Sequence, residues 1–313
     1  MRPTPFAAVL VGVLLLTTAA ARTQAATPPR AAQPVLAADL DRLLGDARLT
    51  GAQASALVTD AATGEVLYRH DPGALLLPAS TLKTVTAAAA LDVLGQDHRF
   101  TTDVLAAGRR SGPLLDGDLV LRGGGDPSLL PADLDALAAQ VAAAGVTEVN
   151  GALLADASRY DDVPLGADWA WDDQAAYYSP QISALTLTTD TDYDPGTVRL
   201  TLTPAAAPGR PATVQVVPAE APVRLRGGVD TGPAGGASTV QVDRRPGGND
   251  LQLSGSLPAG GGTGQEWVAV DDPAGLAAAV FAAAIAQHGG TDQRGYPAGS
   301  APAGQAPLTP TAA

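Results

Sequence analysis

The chain contains no cysteine, so disulfides, thiolate metal sites and cysteine nucleophiles are excluded together. Aromatic residues make up 4% and charged residues 16%, so any core rests on Ala, Leu and Val rather than on rings. Basic residues are in deficit: 19 Lys and Arg stand against 32 Asp and Glu, a formal charge of −13. That balance argues against nucleic acid or an anionic membrane surface as a partner. Three histidines, His70, His98 and His288, are too scattered to suggest a metal cluster. Lysine is nearly missing too. All but one of the 19 basic residues are arginine, which leaves Lys83 alone.

What is present suffices for a fold. Hydrophobic residues reach 46% of 313, and at about 150 residues per domain the length suggests roughly two domains. The one long apolar run is at the start. Met1-Arg2 supplies a positive charge, residues 6–21 are mostly apolar, and small residues follow at Ala19-Ala20-Ala21 and Ala25-Ala26. This is the layout of a secretory signal peptide over residues 1–26, cleaved between Ala21 and Ala26. The run is short for a membrane span of ~20 residues. The expected product is exported, periplasmic or at the cell wall outside, with no membrane span after cleavage.

Beyond a Pro/Ala linker (27–35), Leu36, Leu40, Leu43 and Leu44 follow helical spacing and stop at Gly45. Residues 54–59 and 65–68 read as a hairpin around Ala61-Ala62-Thr63-Gly64. Pro78-Ala79-Ser80-Thr81-Leu82-Lys83 then opens a helix that ends near Gly95. From about Phe100 short β runs recur, at 101–105, 118–121, 148–155, 182–188, 197–203, 213–217, 223–226, 238–242 and 251–254. A helix carrying Leu134, Leu137 and Val141 interrupts them and closes at Gly145. A last helix opens at Asp272-Pro273, carries Leu276, Val280 and Ile285, and closes at Gly289-Gly290, with cap, proline and glycine in their usual places. The predicted organisation is an α/β (α+β) unit at 36–99, a β-rich insertion at 100–265, a helix at 266–294 returning to the first unit, and a disordered low-complexity tail at 295–313.

Lys83 lies three residues after Ser80, at the start of a predicted helix. Residues at that spacing share a face, with Cβ atoms ~5–6 Å apart. An N-cap accounts for the serine but not for the lysine. A cation in the first turn faces the positive end of the helix dipole, at roughly 0.3–1 kcal/mol when exposed, and a capping box wants Glu or Gln there. Chemistry supplies a reason. Arginine does not release its proton, whereas a partly desolvated lysine near a helix N-terminus becomes a neutral base. Such a base takes the proton of Ser80 and makes it a nucleophile, with backbone N–H groups at the helix start to hold an oxyanion.

Other conspicuous residues have plainer explanations. Gly123-Gly124-Gly125-Asp126 lacks the Gly-Lys-Ser/Thr ending of a phosphate loop and reads as a tight turn after a strand. Ser183 is followed two residues on by Leu185 and reads as a strand residue. The histidines read as surface residues rather than members of a Ser–His–Asp triad. Trp169, Trp171, Tyr177 and Tyr178 read as a loop packed against the insertion, ahead of a glycan-binding groove. The acidic clusters Asp161-Asp162, Asp172-Asp173 and 190–194 read as solvated loop charge, ahead of calcium sites.

The stretch from Val58 to Tyr68, with Leu76-Leu77-Pro78-Ala79-Ser80-Thr81-Leu82-Lys83, resembles the start of the penicillin-binding fold. Residues 121–129, 156–160 and 169–187 narrow the resemblance to the D-alanyl-D-alanine carboxypeptidase/endopeptidase family of class C penicillin-binding proteins, peptidase family S13. The long insertion is itself a mark of that family. The resemblance implies an incomplete transpeptidase-like domain with a large β-rich inserted domain. It also implies peptidoglycan stem peptides and β-lactams as partners, an acyl-enzyme on Ser80 assisted by Lys83, and no cofactor.

Two motifs of such enzymes, S-x-N and K-T-G, are not in these residues. The only asparagines, Asn150 and Asn249, have no serine two residues before them, and K-T-G needs a second lysine. The expectation is therefore a family member cut short at its C-terminal end. Its alternative is a catalytically incompetent remnant whose insertion binds cell-wall material or a partner.

Overall fold

The computed structural model describes residues 34–292 and 306–307. The chain forms two compact units, Met1–Asp97 and His98–Ala313. The expected signal peptide and all but the end of the linker lie outside the described residues. So does the expected tail, apart from its two-residue strand below.

The first unit holds helix α1 (Pro34–Leu44), strands β1 (Ala56–Thr59) and β2 (Val66–His70), and helix α2 (Leu82–Leu94). The strands pair antiparallel from Ala56 opposite His70. Asp60 builds the turn between them, its Oδ1 accepting from the N–H groups of Ala62 (3.0 Å) and Thr63 (2.8 Å). Tyr68 joins α1 to β2 by donating its hydroxyl to Asp41 Oδ1 at 2.6 Å. It is the only buried residue among those described in this unit. The hydrogen bond to Asp41, then burial, then the Asp41 charge push the phenol up to about 12.

The second unit opens with a long hairpin, β3 (Thr102–Ser111) and β4 (Leu114–Gly123), followed by helix α3 (Pro131–Ala143), β5 (Glu148–Val149) and β6 (Leu153–Asp156). Chain order then gives β7 (Thr197–Thr203), β8 (Thr213–Val217), β9 (Arg224–Gly227), β10 (Asp230–Gly232), β11 (Gln241–Arg244), β12 (Asp250–Ser254), β13 (Ser256–Pro258) and β14 (Gly264–Ala269). Helix α4 (Pro273–Gln287) and the short strands β15 (Thr291–Asp292) and β16 (Ala306–Pro307) complete it. The main sheet runs β15-β5-β4-β3-β16, with β6 also on β4, and two three-stranded sheets run β14-β7-β8 and β11-β12-β9.

The single strand expected at 148–155 is two, because the chain leaves the ladder between them. A Cβ at Gly151 would stand 2.2 Å from the Gly117 carbonyl oxygen, so only glycine lets the backbone pass there. Residues 182–188, expected as a strand, form none. Their buried backbone is satisfied one group at a time, as in Gly125 N–H to Ala184 O (2.8 Å) and Thr188 N–H to Leu129 O (2.9 Å). Strand β14 carries no alternation that marked it in advance.

Helix α4 packs on α3 and β6 within the second unit. The reason is its composition: Leu276, Ala277, Ala278, Phe281 and Ala284 are all buried, and a helix apolar on every side needs cover on every side. Its ends follow the sequence. Asp272 caps it, accepting from Gly275 N–H at 2.9 Å, and Gly289 closes it at φ +80°. Among the described residues no helix is long and apolar enough to cross a membrane.

Two outcomes are expected. Phe281→Ala, emptying a fully buried site, lowers second-unit stability by about 3–5 kcal/mol in denaturant unfolding. The Tyr68 hydrogen bond contributes stability in full below the ordinary phenol value of 10 and loses it as pH rises through about 12. The tyrosinate absorbance of wild type minus Tyr68→Phe is then centred near the upper value, and a midpoint at the ordinary one would contradict the bond.

Candidate active site

Ser80 and Lys83 come together. Residues Ala79–Thr81 make one 3-10 turn that runs directly into α2, so the two side chains sit one turn apart on one continuous face. Lys83 Nζ donates to Ser80 Oγ at 3.0 Å. Capping does not occupy the serine: neither the 3-10 turn nor α2 has a side-chain cap bond. The turn is closed instead by Thr81, whose N–H (3.0 Å) and hydroxyl both bond the Pro78 carbonyl.

Ala79, immediately before the serine, has φ +45°. A side chain in that left-handed region costs about 1–2 kcal/mol, and such strain concentrates where a functional group is held at a fixed angle. Here the kink lies between Pro78, already in the right-handed helical region at φ −70° and ψ −21°, and the turn that carries Ser80 into α2.

The pair is open to solvent. Every described residue from 71 to 97 is exposed, including Leu82, Val85, Leu91, Val93 and Leu94 of α2. The partial desolvation of Lys83 expected from the sequence is therefore not supplied by the described residues of this unit.

The second unit clarifies the remaining residues. The glycine run 123–125 is a close-packing device: a Cβ at Gly123 would meet the Ala184 carbonyl oxygen at 2.1 Å, and one at Gly124 the Thr101 carbonyl oxygen at 2.2 Å. His288 Nε2 pairs with Asp135 Oδ1 at 2.9 Å and His98 packs edge-on against Phe100, and among the described residues no histidine bonds a serine. Ser183 Oγ donates to the Leu185 carbonyl at 2.7 Å in an irregular segment rather than a strand. Among the described residues no group of three or more His, Asp or Glu is arranged to hold a metal ion.

The aromatic segment departs from its expected packing. Trp171 is 71% exposed and Trp169 45%, with Tyr177 and Tyr178 also half in solvent. Trp169 stacks on Tyr178 at 6.5 Å between centroids, Tyr177 meets Tyr178 edge-on at 5.4 Å, and Tyr178 donates its hydroxyl to Asp173 Oδ1 at 2.8 Å. The sequence shows that these rings are present but carries no signal for which side of the loop they occupy.

The family model for D-Ala-D-Ala carboxypeptidase 3 (S13) matches residues 36–311. The chain belongs to this S13 family. It is 45% identical over 267 residues to a D-alanyl-D-alanine carboxypeptidase of Actinomadura sp. (strain R39), covering 85% of this chain and 49% of that protein. It is 28% identical over 179 residues to the D-alanyl-D-alanine carboxypeptidase DacB of Haemophilus influenzae, covering 57% and 36% respectively. The chain thus spans half or less of the length of these curated relatives. In fold it is similar to penicillin binding protein 4 (dacB) from Haemophilus influenzae, with a TM-score of 0.72 at 24% identity, over 87% of this chain and 58% of that one. A second structure of that protein, complexed with a novel β-lactam, gives 0.62 at 22% identity over 82% and 55%. The S13 chain therefore has the α+β penicillin-binding-like fold.

Relief of the kink is measurable. Ala79→Gly stabilises the turn into α2 by about 1 kcal/mol, seen as slower hydrogen exchange of the first α2 amides. Unchanged or faster exchange would mean that the left-handed backbone carries no strain.

Proposed function

We propose that this S13 chain is a serine-type D-alanyl-D-alanine carboxypeptidase/endopeptidase acting on peptidoglycan stem peptides, with Ser80 as nucleophile and Lys83 as its base. The observation that carries the proposal is the 3.0 Å hydrogen bond from Lys83 Nζ to Ser80 Oγ, made within one helical turn by the only lysine in the chain. Ser80 Oγ attacks the carbonyl carbon between the two terminal D-alanines, or of a D-alanine cross-link, while its proton passes to Lys83. The C–N bond breaks, the leaving amine takes up the proton, and an ester remains on Ser80. Water then hydrolyses the ester and returns the hydroxyl. A β-lactam enters the same first step, with its ring amide as the bond that opens.

The Ser80 N–H at the start of the turn is a donor for the oxyanion, whereas the Thr81 N–H is taken by the Pro78 carbonyl. The exposed pair is covered by the bound peptide, which excludes water and strengthens its hydrogen bonds. No step uses a metal or an organic cofactor. Work on cell-wall peptides requires export, which the N-terminal apolar run supplies.

A second reading is favoured by the exposed rings of Trp169, Trp171, Tyr177 and Tyr178: a non-catalytic member whose second unit binds cell-wall material. One experiment separates the two. A fluorescent penicillin labels the full chain covalently at Ser80, Ser80→Ala abolishes labelling, and Lys83→Arg slows it about 10²–10⁴-fold, because the guanidinium keeps the charge but cannot act as base. Retention of peptidoglycan with no labelling of the folded wild-type chain would establish the second reading instead.

A further inference from the structure

The chain has two asparagines, Asn150 and Asn249, and they stand in opposite surroundings. Asn150 is exposed, lies in the turn between β5 and β6, and is followed by Gly151. Its N–H is fixed to the Leu115 carbonyl at 2.9 Å, and its Nδ2 donates to Asp116 Oδ1 at 3.1 Å. The next backbone nitrogen is not engaged. Gly151 is buried, yet its N–H has no acceptor among the described residues. Asn249 is half-buried and precedes Asp250 at the start of β12. Both ends of its amide are held in 2.7 Å bonds to the Asp271 backbone.

The contrast is a chemical one. An asparagine loses its amide when the nitrogen of the following residue attacks its Cγ. That nitrogen has to be free of a ladder bond, and a Cβ on its own residue hinders the approach, which glycine does not have. Buried backbone N–H groups are nearly always paired, so an unpaired one beside an exposed asparagine is an uncommon juxtaposition.

We propose that Asn150-Gly151 is a self-modification site, where the carboxamide is converted to a carboxylate with water as the only co-reactant. Gly151 N bonds to Asn150 Cγ while the Cγ–Nδ2 bond breaks, and the Gly151 proton leaves with the amide nitrogen as ammonia. Water then adds to a carbonyl of the resulting succinimide and returns a proton to the Gly151 nitrogen. Opening at Cγ gives aspartate. Opening at the Asn150 main-chain carbonyl gives isoaspartate, with one more backbone atom between β5 and β6. Nothing is oxidised or reduced: ammonia is lost and water is gained.

The surroundings give the product a consequence. A carboxylate at position 150 replaces the donor that stood 3.1 Å from Asp116 Oδ1, so a hydrogen bond becomes a like-charge contact. An added backbone atom finds no slack. Asp118 Oδ1 holds the Ala152 N–H at 2.9 Å, and a Cβ on Gly151 would already stand 2.2 Å from the Gly117 carbonyl oxygen. Aspartate is the product that the folded turn accommodates, and either product loosens the join of β5 and β6 to β4.

The test ages the full folded chain in mildly alkaline buffer made with heavy-oxygen water and maps its peptides by mass. Asn150 is expected to lose its amide and take up the labelled oxygen at least about tenfold faster than Asn249, because its neighbouring nitrogen needs no ladder to open. Asn150→Gln, whose longer side chain does not close the same ring, removes the change at that position. Asn150→Asp, the product made directly, unfolds at a lower denaturant midpoint than wild type at neutral pH, and the gap narrows in acid as the facing carboxyls take up a proton. Equal rates at the two asparagines would overturn the proposal. So would loss at Asn150 only after the chain is unfolded in denaturant, since the folded backbone would then protect it. A wild-type midpoint in Asn150→Asp would overturn the loosening of the turn.

Discussion

A helix without a polar face has to be covered on all sides, and that constraint organises the second unit around α4. Phe281, Leu276 and Ala277 are fully buried, and α3 and β6 lie against the helix. The β4–α3–β5 crossover makes this possible: parallel pairing of β4 with both β5 and β6 places α3 over the sheet, and α4 fills beside it. Helix α2 is as rich in Ala, Leu and Val and has no buried residue. The contrast between the two helices separates a unit with a core from one that has almost none among its described residues.

Against that background the Ser80–Lys83 contact is notable for needing so little. It depends on one turn of backbone, not on the assembly of distant elements. A contact between residues three apart forms wherever the helix forms. This is why a pair of residues remains in reach of each other in a unit whose buried side chains reduce to Tyr68. It is also why the contact needs no element distant in sequence to bring it about.

How much was legible varies by element for physical reasons. Strands β7 and β8 were readable to the residue, because one face of each alternates against the core and β-branched residues fill them. Residues 182–188 have the same local character, yet only 184–188 are buried and, apart from the single bridge of Thr188 to Pro195, they join no strand, a difference that lies in what surrounds them. The two-residue and three-residue strands β5, β10 and β13 are too short for a period to appear. Gly151 gave no sign that it splits a strand, since the clash it avoids is with Gly117, far along the chain. Arg244, Asp271 and Gln181 left no trace in spacing at all, because Asp271 Oδ1 meets Arg244 Nη1 at 3.6 Å and Gln181 Nε2 at 2.5 Å only through folding.

The sequence by itself determined the features that are local. These are the lone lysine one turn from a serine, the capped ends of α4, the hairpin around Asp60, and the family motifs that place the chain in S13. Tertiary structure decided what each apolar or aromatic surface faces. It packed α4 against α3 and β6, turned the rings of 169–178 outward, and left α2 uncovered. Periodicity records that a face is apolar or that a ring is present, but the partner of a face is a property of the packed chain, fixed by which distant surfaces it can bury against.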